Sequence, residues 1–183
     1  EKYDKINNLL LKAFPAIHFY NGDKVLTGNH KDLCKYLNKI GKIKTKFIPE
    51  EIKNLPSKYL KIFLDWFILG DGTIEKARNE NSTESKMLYT SSPQLRDDLI
   101  EVIIKSGAWA GYYADGPRSS VPLKDGRVIT SKVPNYRIWI QRAKSFNIRN
   151  RHISKEQYKG FVYCCETPNH TLLVRRNNKL VWC

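Results

Sequence analysis

The residues able to do chemistry fall into three groups. The first is Asp71, a lone carboxylate between Gly70 and Gly72 at the end of the apolar run "FLDWFILGDGTIE". A carboxylate at a helix C-terminus sits at the negative end of the macrodipole, so something must offset it. Solvent around a turn aspartate is one answer. The other is a divalent cation shared with nucleic-acid phosphate, because hard Mg²⁺ takes oxygen ligands, often one or two carboxylates completed by phosphate and water. The second group lies in the tail "FVYCCETPNHTLLVRRNNKLVWC". His170 carries an imidazole that titrates near neutrality and can relay a proton; Cys164 carries a thiol that becomes a nucleophile once its pKa is lowered. His170 after Pro168-Asn169 also fits a turn residue, and Cys164-Cys165 also fits a packed strand, whose alternation would let at most one of the two thiols be buried. The third group is cationic: Arg118 to Lys159 holds eleven basic residues against two acidic ones, more than half of the chain's formal excess of +14. A surface this positive attracts polyanions.

Several elements must position these groups. "HKDLCKYLNKIG" reads as a short helix ending at Gly41, and Pro49-Glu50-Glu51 as a helix first turn. Leu55-Pro56-Ser57 breaks the chain and starts a second helix. In it Leu60, Phe63, Leu64, Phe67 and Ile68 recur at the spacing of one buried helix face. Gly70 and Gly72 are expected to stop that helix beside Asp71. "KMLYT" reads as a strand, and "SSPQLRDDLIEVIIKSG" as a capped helix with Pro in its first turn, two early Asp residues and Gly107 at its end. "AWAGYYAD" and "YRIWIQRA" read as strands joined through Asp125-Gly126, so residues 71 to 144 form β-α-β-β. The tail reads as strand-like twice over, with Asn177-Asn178 as a turn.

At 183 residues the chain suffices for one domain or slightly more with its own core. No apolar run reaches the length of a membrane span, and the first ten residues lack the pattern of a signal peptide. A soluble protein with no membrane partner is expected. The four cysteines, at 34, 164, 165 and 183, have no spacing of a zinc ribbon or disulfide framework and fit reduced thiols in a cytoplasmic, intracellular setting.

"LDWFILGDG" resembles the LAGLIDADG motif of homing endonucleases, with Leu64 first, Gly70 seventh, Asp71 eighth and Gly72 ninth. "KFIPEEIKNLPSKYLKIFL" resembles the lead-in to the second such motif in inteins, and "YTSSPQLRDDLIEVIIKSGAWAGYY" the strand and helix that follow it. The resemblance implies an α+β chain. Residues 1–20 would be a connector or the start of the endonuclease unit, and residues 20–145 a half-domain with an αββαββ-like saddle. Residues 146–157 would be a basic connector, and 158–183 strands of an intein (Hint) splicing fold. In that family two motif helices pack side by side and each delivers an aspartate to metal, which assigns Asp71 to Mg²⁺ binding and phosphodiester hydrolysis. Strands lie in the DNA major groove, which would place Lys124, Arg127, Lys132, Arg137 and Arg142 against double-stranded DNA.

The tail resembles C-terminal splicing blocks, which implies that His170 assists cyclisation of a terminal asparagine and that Cys164 takes the position that holds Asp or Cys. The chain departs from the family at the third motif position, which is Trp66 rather than glycine, and at its end, where Cys183 follows Trp182 without an asparagine. Residue 1 is Glu, with no initial splicing blocks. The expectation is therefore a split-intein piece or a segment cut short of the junction, partnered by a missing N-terminal segment. A free-standing single-motif endonuclease acting as a homodimer, or a non-catalytic DNA-binding relative, are the alternatives.

Overall fold

The computed structural model describes residues 2–22, 25–76, 84–116, 122, 126–128, 130, 132–141, 150, 153–176 and 179–182. It is an α+β chain with antiparallel sheets. Helix α1 (Lys2–Ala13) leads into a two-stranded ribbon of β1 (Phe19–Gly22) and β2 (Val25–Gly28), followed by α2 (Lys31–Lys39). His30 caps α2, its Nδ1 accepting from the Leu33 amide at 3.2 Å. Gly41 takes the left-handed turn expected after that helix, with φ of +91°.

The central unit begins with the single turn α3 (Glu50–Lys53) and α4 (Ser57–Asp71). Two prolines, Pro49 and Pro56, precede these helices with extended backbone, as the residue types require. Next come β3 (Gly72–Glu75), β4 (Ser85–Thr90), α5 (Pro93–Lys105), β5 (Trp109–Asp115) and β6 (Asn135–Gln141). The four strands form one antiparallel sheet in the order β3-β4-β6-β5. The reading of residues 71 to 144 as β-α-β-β lacked strand β3, so the observed order from α4 onward is α-β-β-α-β-β, the element order the resemblance implies. Strand β3 is short and begins at the residue after α4, leaving no boundary signal of its own.

Both helices cover one face of the sheet. Leu60, Leu64 and Ile68 of α4 meet Leu95, Leu99, Val102 and Ile103 of α5 over Leu88, Ala110 and Ile138. Burying each such aliphatic side chain is worth about 1.5–3 kcal/mol, which makes this cluster the main driving force for the unit. Helix α5 is capped as its sequence requires: Ser92 Oγ accepts from the Leu95 amide at 3.2 Å and donates to Lys46 O at 2.6 Å. Gly107, with φ of +88°, closes the other end.

The tail ends in a hairpin of β7 (Leu173–Arg176) and β8 (Lys179–Trp182), paired from Leu173↔Trp182 to Arg176↔Lys179; the expected turn at Asn177-Asn178 lies outside the described residues. It docks on α5, where Arg175 Nη2 donates to Glu101 Oε2 at 3.1 Å and Leu173 packs against the core. The stretch Phe161–Cys165 corrects the reading of a strand. It has no regular structure, Phe161, Val162 and Tyr163 are more than 80% exposed, and Cys164 and Cys165 are both exposed. A β-forming sequence makes a strand only when a neighbour supplies hydrogen bonds. Among the described residues no helix is long and apolar enough to cross a membrane.

Candidate functional site

Asp71 is the last residue of α4 and Gly72 the first of β3, so helix passes into strand with no intervening loop. The Gly72 amide caps Ile68 O. A Cβ at position 72 would stand 2.7 Å from Ile68 O and 2.8 Å from Ile68 Cα, so the sharp exit from the helix requires glycine there. Gly70 differs: the helix runs through it, and a Cβ there would meet nothing within 4 Å. It does not stop the helix.

The compensation required at the negative helix end comes from a residue the sequence did not single out. Lys2 Nζ donates to Gly70 O at 2.6 Å, bringing α1 and a cation to the last turn of α4, beside an exposed Asp71. The partner is 68 positions away in the chain, so no local pattern could reveal it.

Opposite its buried stripe, α4 carries a second apolar face. Tyr59 and Ile62 are exposed, Trp66 and Leu69 half-buried, and Gly70 exposed. Trp66 thus lies on the side turned away from this chain's own core. Among the described residues no group of three or more His, Cys, Asp or Glu side chains is placed to hold a metal. Asp71 supplies one exposed carboxylate, which fits one ligand of a hard divalent cation whose other oxygens come from phosphate, water or a second chain segment.

The outer face of the sheet bears on the expected DNA contacts. Arg137 lies there on β6, its Nε 2.6 Å from Asp115 Oδ2 and its Nη2 donating to Asp115 Oδ1 at 2.9 Å. The guanidinium is thus paired with one carboxylate while its side chain stays 41% exposed. Arg127 and Lys132 are exposed in the β5–β6 connection; Lys124 and Arg142 lie outside the described residues. Tyr89, Tyr113, Trp139 and Met87 share this face with the polar residues Thr73, Ser85, Asp115, Asn135 and Gln141.

In the tail, His170 is exposed and takes a left-handed backbone, φ +51°, which histidine adopts more readily than most non-glycine residues. Its amide donates to Thr167 O at 2.9 Å, while Thr167 Oγ1 donates to Thr171 O at 3.0 Å. This turn places the imidazole on an open depression with Glu166, Thr167 and Pro168. Asp71 belongs to the α4–β3 junction, whereas Cys164 and His170 belong to the tail, so the two chemistries sit on separate elements.

The structural role of the buried polar side chains was also missed. Asp97 and Asp98, read as helix-start acids, lie beyond the first turn of α5. Asp98 is buried and accepts from the Ile48 amide at 2.8 Å, Gln94 Nε2 at 2.9 Å and Lys53 Nζ at 3.2 Å. It fastens the segment leading into α4 onto α5. Arg96 lies between the rings of Tyr112 and Tyr136, 4.7 and 4.6 Å from their centroids. Burial works against its charge, but the Asp97 carboxylate and the rings outweigh it and raise its pKa.

No protein-family model matches the chain. It is 35% identical over 101 residues to the DNA-directed RNA polymerase subunit beta C-terminal section of Stigeoclonium helveticum, a match covering 51% of this chain and 9% of that protein. It is 29% identical over 136 residues to the ribonucleoside-diphosphate reductase subunit beta of Aquifex aeolicus (strain VF5), covering 72% of this chain and 17% of that protein. The matched regions therefore span less than a fifth of either relative.

Proposed function

We propose that this chain is the C-terminal portion of an intein with an embedded LAGLIDADG homing endonuclease. It binds duplex DNA and, when complete, makes a Mg²⁺-dependent double-strand cut, while its tail contributes to autocatalytic protein splicing. The observation that carries the reading is the α-β-β-α-β-β order with Asp71 held at the junction of its first helix and first strand. That order matches the αββαββ order the resemblance implies. In it Asp71 would hold Mg²⁺, which supplies activation of water and neutralisation of the leaving oxygen. The chain's own contribution is one exposed carboxylate borne at the junction of two elements, with Lys2 offsetting the helix end.

Two further observations support the reading. The apolar outer face of α4 is what a second motif helix would cover, and the exposed Phe161–Tyr163 segment is what strands of a splicing fold would pair with. The two relatives support it differently. An RNA polymerase subunit and a reductase subunit share no reaction by name, yet the stretches they match on this chain, 51% and 72% of it, must overlap. Similar stretches within two such different enzymes are what an element resident in a host would leave.

The same outer face of α4 favours a second reading, a free-standing endonuclease in which a second copy of this chain provides the partner helix. Solution mass with and without duplex DNA separates the two: a dimer supports the second. Duplex binding should weaken steeply with salt through counterion release. Asp71→Asn should leave that affinity within twofold and abolish any Mg²⁺-dependent cleavage of plasmid DNA. Binding that ignores salt, or cleavage that survives the substitution, overturns the proposal.

A further inference from the structure

We propose that residues 3–28 are the second half of a repeat of the central unit. On this reading α1 and the edge of β2 that β1 leaves open form a docking surface for the first half, an α-β-β segment of the full protein encoded ahead of Glu1. Laid alongside residues 96–115 without a gap, residues 3–22 match them in helix, strand and burial pattern. Ile6, Leu9 and Leu10 of α1 fall on Leu99, Val102 and Ile103 of α5, while Asp4 and Lys12 fall on Asp97 and Lys105. Past the helices, Ile17 falls on Ala110, 7% and 8% exposed, and Tyr20 on Tyr113, 62% and 61% exposed. Strand pairing carries the match further: Tyr20 faces Thr27 as Tyr113 faces Arg137, and Phe19 faces Gly28 as Tyr112 faces Ile138. The two differ in the connection between their strands, residues 23–24 in the ribbon and 116–134 in the sheet. Two stretches of one element order and one burial pattern mark a duplication.

What covers each stretch is not the same. In the central unit α4 packs on α5 and β4 pairs along β6, and Leu99, Val102 and Ile103 are fully buried. Their counterparts Ile6, Leu9 and Leu10 are half-buried, no residue of α1 is buried, and among the described residues β2 pairs with β1 alone. A helix of 12 residues and a two-stranded ribbon are each marginal in water without a packing partner. The repeat specifies that partner. It is a helix with an apolar stripe spaced like Leu60, Leu64 and Ile68, lying on α1, and two strands, the second pairing along β2 as β4 pairs along β6. A second molecule of this chain has its own α4 and β4 already committed to α5 and β6, so the segment belongs to the same polypeptide. The inference rests on the chain's own duplication and not on the function proposed above, so DNA binding, cleavage and splicing can each fail without touching it.

Amide hydrogen exchange followed by NMR tests it on two proteins, the chain as it stands and the natural chain extended upstream to the counterpart of Pro49. In the first, the amides of Ile6, Leu9 and Leu10 should exchange at least about a hundredfold faster than those of Leu99, Val102 and Ile103. In the second, they should slow by at least about tenfold while α5 is unchanged. Leu10→Asp in the extended protein should return α1 to its fast rates, whereas Asn8→Asp, at the counterpart of Glu101, should not. An upstream reading frame that encodes no apolar helix followed by two strands overturns the proposal. So does an α1 already as slow as α5 in the chain as it stands, as a monomer or as a dimer, since its surface is then covered without the segment. Unchanged α1 exchange in an extended protein whose α5 stays slow overturns it as well.

Discussion

Replacing Asp98 with alanine should unfold the helix pair more readily than any surface change. The carboxylate is 1% exposed and receives three hydrogen bonds, from the Ile48 amide, Gln94 and Lys53. Lys53 is itself buried, its side chain 8% exposed, and its other anion, Glu50, lies 2.5 Å away with a side chain 71% exposed. Removing Asp98 leaves that ammonium with a screened partner and orphans the Ile48 amide. Stranding one member of a buried pair costs about 3–5 kcal/mol, and an unsatisfied buried amide about 1–3 kcal/mol. The two do not simply add, because Glu50 can follow Lys53 and water can enter. An overall loss of about 3–5 kcal/mol is expected, a large share of the usual 5–15 kcal/mol of a domain. Urea unfolding followed by far-ultraviolet circular dichroism measures it as a lower midpoint at constant slope. The double variant Asp98→Ala, Lys53→Met should regain about 1–3 kcal/mol, since no buried cation is then stranded. A single-variant loss below about 1 kcal/mol, or strict additivity in the double variant, would refute the reasoning.

The glycines flanking Asp71 should respond oppositely. Gly70→Ala removes backbone freedom from a helix position with open space around it and should stabilise the chain by about 0.5–1 kcal/mol, whereas Gly72→Ala drives a methyl group into the Ile68 backbone and should destabilise it; thermal melts rank the two. The ammonium of Lys53 provides a pH test. Burial lowers its pKa, but hydrogen bonds to Glu50 and Asp98 more than offset this, so the pKa ends above its ordinary 10.5. A raised folded-state value means the stabilisation is complete below 10.5 and fades as pH climbs through the higher folded value. Urea midpoints on that alkaline limb should fall for the parent chain and stay flatter for Lys53→Met.

The sequence made legible those features whose causes are local. The stripe of Leu60, Leu64 and Ile68 reappears as the buried face of α4, and the Ser92 cap and Gly107 stop bound α5 as their chemistry requires. Features with distant causes stayed hidden. Arg137 reads as a free cation in sequence, yet its partner Asp115 lies 22 positions earlier on the neighbouring strand. Lys2 reaches Gly70 only because α1 folds back, and α1 itself and the β1–β2 ribbon were not foreseen. Phe161–Cys165 shows the converse: strong local preference for a strand without a neighbour to complete it.

Two connections in the central unit differ sharply in length. Asp71 passes to Gly72 with nothing between α4 and β3, while β5 and β6 are joined by residues 116–134. An insertion at the first point would displace the carboxylate and break the Ile68 cap together, so it is closed to length variation. The second adds or loses residues between strands already held in register by their own pairing. Descendants of this sequence can therefore alter the basic segment next to the sheet one codon at a time, or several at once, while Asp71 keeps its place. A lineage built this way varies that connection by insertion and deletion and preserves the helix-to-strand junction by excluding both.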